Sequence, residues 1–269
     1  MRPRRLAALA SALVLSTALV ACGGGDDGTS GSASSDATST APTGEITVLA
    51  AASLTEAFGE LKTTFESQND GATVNLSFDS SSVLAEQVVQ GNPADVLATA
   101  DEKTMTRVTD ADLAAGEPTV FASNTLVIAT PKGNPGKIES IQDLGKDGTT
   151  FAVCVPAAPC GAASTKLLEV SSVTAKPATE EQNVKGVLTK ITQGEVDAGL
   201  VYASDAKAAG DDVDVVVPDG ADQAVNLDPI VVLKNAENPE LAKAWVELVT
   251  GSEGQKVLES YGFQPAPAS

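Results

Sequence analysis

The residues best placed to do chemistry are hydroxyls at the starts of two helices. Ile46-Thr-Val-Leu-Ala-Ala-Ala-Ser53 reads as a β-strand that ends on a serine. The helix that follows carries Leu54, Phe58, Leu61 and Phe65 on one face of a 3.6-residue period. Ser53 with Glu56 three residues on predicts a capping box. The arrangement recurs: Thr73-Val-Asn-Leu-Ser-Phe78 is a second strand, followed by Asp79, Ser80-Ser-Ser82 and a helix predicted from near Val83. Free backbone N–H groups and the helix dipole at such a terminus favour an anion. Either serine alone reads more simply as an ordinary N-cap, and the pair weakens that reading.

Composition narrows the alternatives. The 269-residue chain holds 17 Lys+Arg, 36 Asp+Glu and no histidine, with a net charge of −19. Such a surface disfavours nucleic acid and anionic lipid headgroups, and it cannot attract an anion from a distance. An anion site here must therefore use neutral donors at short range. Without histidine the chain lacks the commonest general base and metal ligand. Acid pairs such as Asp95 and Asp101 are expected by chance in so acidic a chain, and no nucleophile elbow is present, so an enzyme is disfavoured. No side chain is assigned as a direct ligand to a metal cation. A hydrophobic content of 42% with 3% aromatic residues predicts a core of Val, Leu, Ile and Ala.

The elements that position these residues follow in order. Residues 1–21 read as a secretion signal, with Arg2, Arg4 and Arg5 ahead of an apolar run from Leu6 to Val20. About 15 apolar residues are short for a membrane span. Leu19-Val-Ala-Cys22 resembles a bacterial lipobox, which implies cleavage before Cys22 and a lipid on its thiol. With those arginines removed, 14 basic residues face 36 acidic ones, a net charge of −22. Residues 22–44, rich in Gly, Ser, Thr and Asp, are a flexible tether.

From Glu45 strands and helices alternate, which predicts parallel β/α layers. Asp95–Ala100 is a short buried strand and Asp101 caps a helix through about Val108. Strands are predicted at Asn124–Thr130, Thr149–Val155, Ala198–Tyr202, Val213–Val217 and Pro229–Leu233. Helices are predicted at Gly161–Val170, from Val184 with Asn183 as cap, at Leu241–Val249 and at Ser252–Ser260. Cys154 and Cys160 read as a disulfide outside the cytoplasm. Their spacing is too wide for a CxxC redox site, and no further ligands accompany them.

From Glu45 to Phe263 the chain resembles the molybdate-binding proteins of ABC importers, which are class II periplasmic-type solute-binding proteins. The matching stretches are Thr47-Val-Leu-Ala-Ala-Ala-Ser-Leu54, Ser80-Ser-Ser-Val-Leu-Ala85, Gly91-Asn-Pro-Ala-Asp95 and Asn124-Thr-Leu-Val127, then Gly199-Leu-Val-Tyr-Ala-Ser-Asp-Ala206 and Tyr261-Gly-Phe263. Their order and spacing over nearly the whole domain make the match specific. The resemblance implies two α/β lobes that close like a hinge: residues 45–124 and 229–269 form lobe 1, and 125–228 lobe 2. Asn124–Thr130 and Pro229–Leu233 would be the two crossover strands.

The resemblance also implies a dianion held by hydroxyls and backbone N–H groups. Ser53 and Ser81 would donate from the first lobe, and Cys160 and Val184 through their backbone. Tyr202 would donate through its phenol. On their residues alone, Val184 and Tyr202 read as core packing and an interface aromatic. A buried dianion is costly unless each oxygen meets donors already aimed at it. About six or seven donors at roughly 1.5–3 kcal/mol each could offset dehydration. The implied protein is a lipid-anchored monomer on the outer face of the membrane, without cofactor, passing molybdate or tungstate to an ABC permease. Sulfate or phosphate receptors are the alternative, and a signalling or adhesion lipoprotein is a further class. Asp79, where a small neutral residue is expected, should turn outward or cap its helix.

Overall fold

The computed structural model describes residues 43–267. The signal segment, Cys22 and the tether up to residue 42 lie outside the described residues. The chain forms two β-sheets with helices packed on them. Strand β1 (Gly44–Ala51) leads through a 3-10 turn, Ala52–Leu54, into α1 (Thr55–Gln68). Then come β2 (Ala72–Asp79), α2 (Ser81–Val89), β3 (Val96–Ala98), α3 (Glu102–Asp110) and β4 (Thr119–Asn124). The second sheet begins with β5 (Leu126–Pro131), followed by β6 (Phe151–Cys154), α4 (Pro159–Val170), β7 (Thr179–Glu181) and α5 (Val184–Thr192). It continues through β8 (Ala198–Tyr202), α6 (Ala203–Ala209) and β9 (Val213–Val216). The chain returns through β10 (Asn226–Val232), α7 (Pro239–Thr250), α8 (Ser252–Ser260) and β11 (Gln264–Pro265).

The larger sheet runs β11-β4-β10-β3-β1-β2 and the smaller β7-β6-β8-β5-β9. Neither is purely parallel, as strand–helix alternation had suggested. β1 pairs in parallel with β2 and β3, but β10 runs antiparallel to both β3 and β4. In the smaller sheet β5 is antiparallel to both β8 and β9. The strands out of step are those next to the passages between sheets, which no local periodicity reports.

Those passages differ from expectation. Asn124–Thr130 is not one strand but breaks at Thr125. There the Asn124 side chain accepts the Thr125 N–H at 3.1 Å while donating to Ser204 Oγ at 2.8 Å. Pro229–Leu233 is not a crossing, because β10 lies wholly in the larger sheet; the chain passes between sheets over residues 217–225. Pro229 sits at a register shift after Asp228, where a strand tolerates a residue with no N–H.

The core sits between sheets and helices and is aliphatic, as composition required. The predicted stripe Leu54, Phe58, Leu61 and Phe65 is fully buried. Trp245 of α7 meets Phe58 and Phe65 edge-on, with ring centroids 5.5 Å apart in each pair. Leu49, Leu84, Leu97 and Met105 fill a second cluster beneath α2 and α3. β1 is thus covered on both faces, as an interior strand of such a sheet must be. This anchoring holds the Ala52–Leu54 turn in place.

Candidate functional site

The C-terminal ends of the strands deliver the five anticipated residues to one cavity. It is small and is lined by Ser53, Ser81, Cys160, Val184 and Tyr202. Ser53 and Ser81 come from elements of the larger sheet, and Cys160, Val184 and Tyr202 from the smaller.

Ser53 does not form the capping box. It lies within the 3-10 turn, α1 proper begins at Thr55, and Glu56 is engaged elsewhere. The Ser53 hydroxyl is buried and has no protein partner. Ser81 opens α2, two residues earlier than expected, and its Oγ accepts the Ala100 N–H at 2.9 Å. Val184 opens α5 just after Asn183, which caps the helix by accepting from the Gly186 N–H at 3.2 Å. Cys160 lies in the first turn of α4, which starts at Pro159 rather than Gly161 because proline suits that position. First-turn N–H groups such as those of Cys160 and Val184 have no intrahelical acceptor. Cys154 and Cys160 form a disulfide from the end of β6 to that turn.

Tyr202 is buried, and its hydroxyl oxygen accepts from Asn226 Nδ2 at 2.7 Å. Burial, then the nearby Asp228, Asp101 and Asp205, push its pKa well above 10, so the phenol keeps its proton. Asp228 is itself buried without a partner for either oxygen. Burial first, then Asp101 and Asp205, raises its pKa well above the carboxylate range, favouring the neutral acid.

Asp79 departs from expectation. It neither turns outward nor caps α2; Ser80 occupies the cap position, and Asp79 lines the cavity. Its Oδ1 accepts from Ser80 N–H at 2.7 Å and from Asn183 Nδ2 at 3.0 Å. The Asn183 bond joins elements of the two sheets, and a second link runs beside it. Lys185 Nζ lies 2.7 Å from Glu56 of α1 and 3.1 Å from Asp205 of α6. Burial works against the Lys185 charge, but Asp205 and Glu56 outweigh it and its pKa is raised. For the fully buried Asp205 the balance reverses. Burial outweighs Lys185 and lifts the carboxyl to about 6. The ion pair is close but poorly aimed, since neither Asp205 oxygen makes a directed hydrogen bond.

The cavity therefore presents hydroxyl and backbone donors with no cation among the lining residues. Asp79 is its sole carboxylate, and one oxygen is already engaged. This suits a compact anion with several acceptor oxygens. Sequence reasoning missed Asn226, Lys185 and the placement of Asp79, because each acts through a partner from a distant stretch of chain.

This fold and cavity are those of a binding protein, and the family is shown directly. Residues 46–264 match the bacterial extracellular solute-binding proteins, and the chain belongs to that family. Such proteins capture solutes for transport and are not enzymes. The chain is 42% identical over 255 residues to the molybdate-binding protein ModA of Mycobacterium tuberculosis, covering 95% of each. It is 32% identical to the molybdate-binding protein ModA of Escherichia coli, covering 82% of this chain and 89% of that one. The fold is also that of the Azotobacter vinelandii periplasmic molybdate-binding protein, with a TM-score of 0.74 at 22% identity over 82% and 99% of the two chains.

Proposed function

We propose that the protein captures molybdate, and tungstate with it, outside the cytoplasm and delivers it to an ABC permease. One observation carries the reading: Ser53, Ser81, Cys160, Val184 and Tyr202 line a single cation-free cavity. The 42% identity to a molybdate-binding protein supports the same ligand. The lipid on Cys22 and the tether through residue 44 would keep the binding domain near the permease while it acts as a monomer. The ligand is the cargo, and no cofactor is required.

A fully deprotonated oxyanion suits a site made of donors, whereas HPO₄²⁻ carries a proton that needs an acceptor. Asp79 in the lining is the feature that favours phosphate as the second reading. A melting-temperature panel separates the two. Molybdate or tungstate at about a hundred times its Kd should add roughly 2.7 kcal/mol of stability. A shift with sulfate or phosphate and none with molybdate would overturn the assignment.

A further inference from the structure

We propose that Asn226 is a positioning residue for the oxyanion, its amide fixing which way the hydroxyl of Tyr202 points. The inference rests on the functional reading above and deepens it.

Asn226 Nδ2 lies 2.7 Å from the carbonyl oxygen of Ala100 and 2.7 Å from the hydroxyl oxygen of Tyr202. A carbonyl oxygen can only accept, so the face of the amide turned towards Ala100 must be the NH₂ group. That settles which amide atom is nitrogen and spends its first hydrogen. The second then goes to Tyr202, whose oxygen is the acceptor. A phenol has a single hydrogen of its own, and with its oxygen occupied that hydrogen is free for the cavity the ring lines.

Ala100 also touches the Ser80–Ser82 cluster, through the peptide group on its other side. Ala100 receives Asn226 on its carbonyl while its N–H donates to Ser81 Oγ at 2.9 Å. Ser81, too, accepts from the protein and keeps its own hydrogen for the cavity. One amide thus joins β10, the loop after β3 and the end of β8, spanning both sheets. It imposes one polarity on the Tyr202 hydroxyl, and the Ala100 N–H does the same for Ser81. Burial, with Asp228, Asp101 and Asp205 nearby, keeps the Tyr202 phenol protonated, so the donor is present across the neutral range. The consequence is a site that presents hydrogens at these two positions, which suits a fully deprotonated oxyanion. Asn226 carries no mark of this in the sequence, since it sits at the start of a strand where asparagine reads as a turn residue.

The test is a double-mutant cycle in the full binding domain, with molybdate as the titrant. Asn226→Ala should weaken molybdate binding by about tenfold, the effect of one lost orienting hydrogen bond. In a Tyr202→Phe background the same change should cost under about threefold, because its principal target is gone. The near-ultraviolet tyrosine band gives an independent readout, since the chain has only two tyrosines and Tyr261 donates to Glu60 instead. Molybdate should shift that band in the wild type and shift it less in Asn226→Ala. Melting of the ligand-free variants verifies folding, and Asn226→Ser, which retains a small donor, replaces Asn226→Ala if the latter does not fold. Equal losses in both backgrounds, or no loss in either, overturn the inference alone. If the wild type binds no molybdate, the functional reading falls and takes this inference with it.

Discussion

Ser53 combines burial with a hydroxyl that no protein group satisfies. A buried polar atom of this kind lowers stability, so its presence asks for a ligand-bound gain. Ser53→Ala should weaken oxyanion binding by about ten- to a hundredfold, the range for one hydrogen bond to a charge. The same change should leave the ligand-free melting temperature unchanged or higher. Parallel titration and melting measure both, and a fall in ligand-free stability would assign Ser53 to the scaffold. Asp205 carries a pH signature of definite sign. Its folded pKa of about 6 stands above the ordinary 3.8, so between those values the folded state holds the extra proton. Its contribution to stability therefore declines as pH rises from about 4 to about 6, and the full cost remains above that. Asp205→Asn removes this term, so the variant should gain on the wild type across that interval and hold a constant difference beyond it. Melting curves at stepped pH give the comparison, and a difference that does not vary with pH would contradict it. Neither behaviour was legible in the residue alone. Ser53 read as a cap, and the acids read as the chance consequence of an acidic chain, because burial is a property of the fold.

At the scale of elements, the loop between β6 and α4 is where covalent structure meets the site. The disulfide joins cysteines six apart in sequence and ends on Cys160, whose N–H is in the first turn of α4. A loop this short contributes on the order of 2–3 kcal/mol in the chain-entropy account. Reduction, or the double Cys→Ser change, should lower both the melting temperature and oxyanion affinity. If both quantities stayed the same, the bridge would be irrelevant to the site. Gly161, next along, packs so closely that an added Cβ would collide with the carbonyl oxygen of Val155, so Gly161→Ala should also displace this turn. Element types were largely readable in the sequence. The buried stripe of α1, the Asp101 and Asn183 caps and the span of α8 emerged where period and capping chemistry agree. What local pattern could not report was strand direction, the break at Thr125, and the short elements β7 and β11, whose pairing is decided by partners far along the chain.

For the whole molecule, the polar links that bridge elements of different sheets include Asn183 to Asp79, and Lys185 to Glu56. A protein that closes on its ligand would make these contacts in the closed form. Glu56 is partly exposed, so its pairing is screened and its contribution small. Glu56→Gln should therefore speed molybdate release by only about two- to fivefold. Added salt should speed wild-type release by a similar factor, as stopped-flow dissociation would show. Release slowed by either change would contradict a closing role for the pair. The convergence of five residues from both sheets was anticipated through the family resemblance and not through periodicity, since nothing local places Tyr202 beside Ser53. The central claim is that this shared, cation-free cavity holds the oxyanion. The most direct measurement is anomalous diffraction at the molybdenum edge from crystals grown with molybdate. The account predicts one strong peak between Ser53, Ser81 and Tyr202; a peak elsewhere, or none in that cavity, would contradict it.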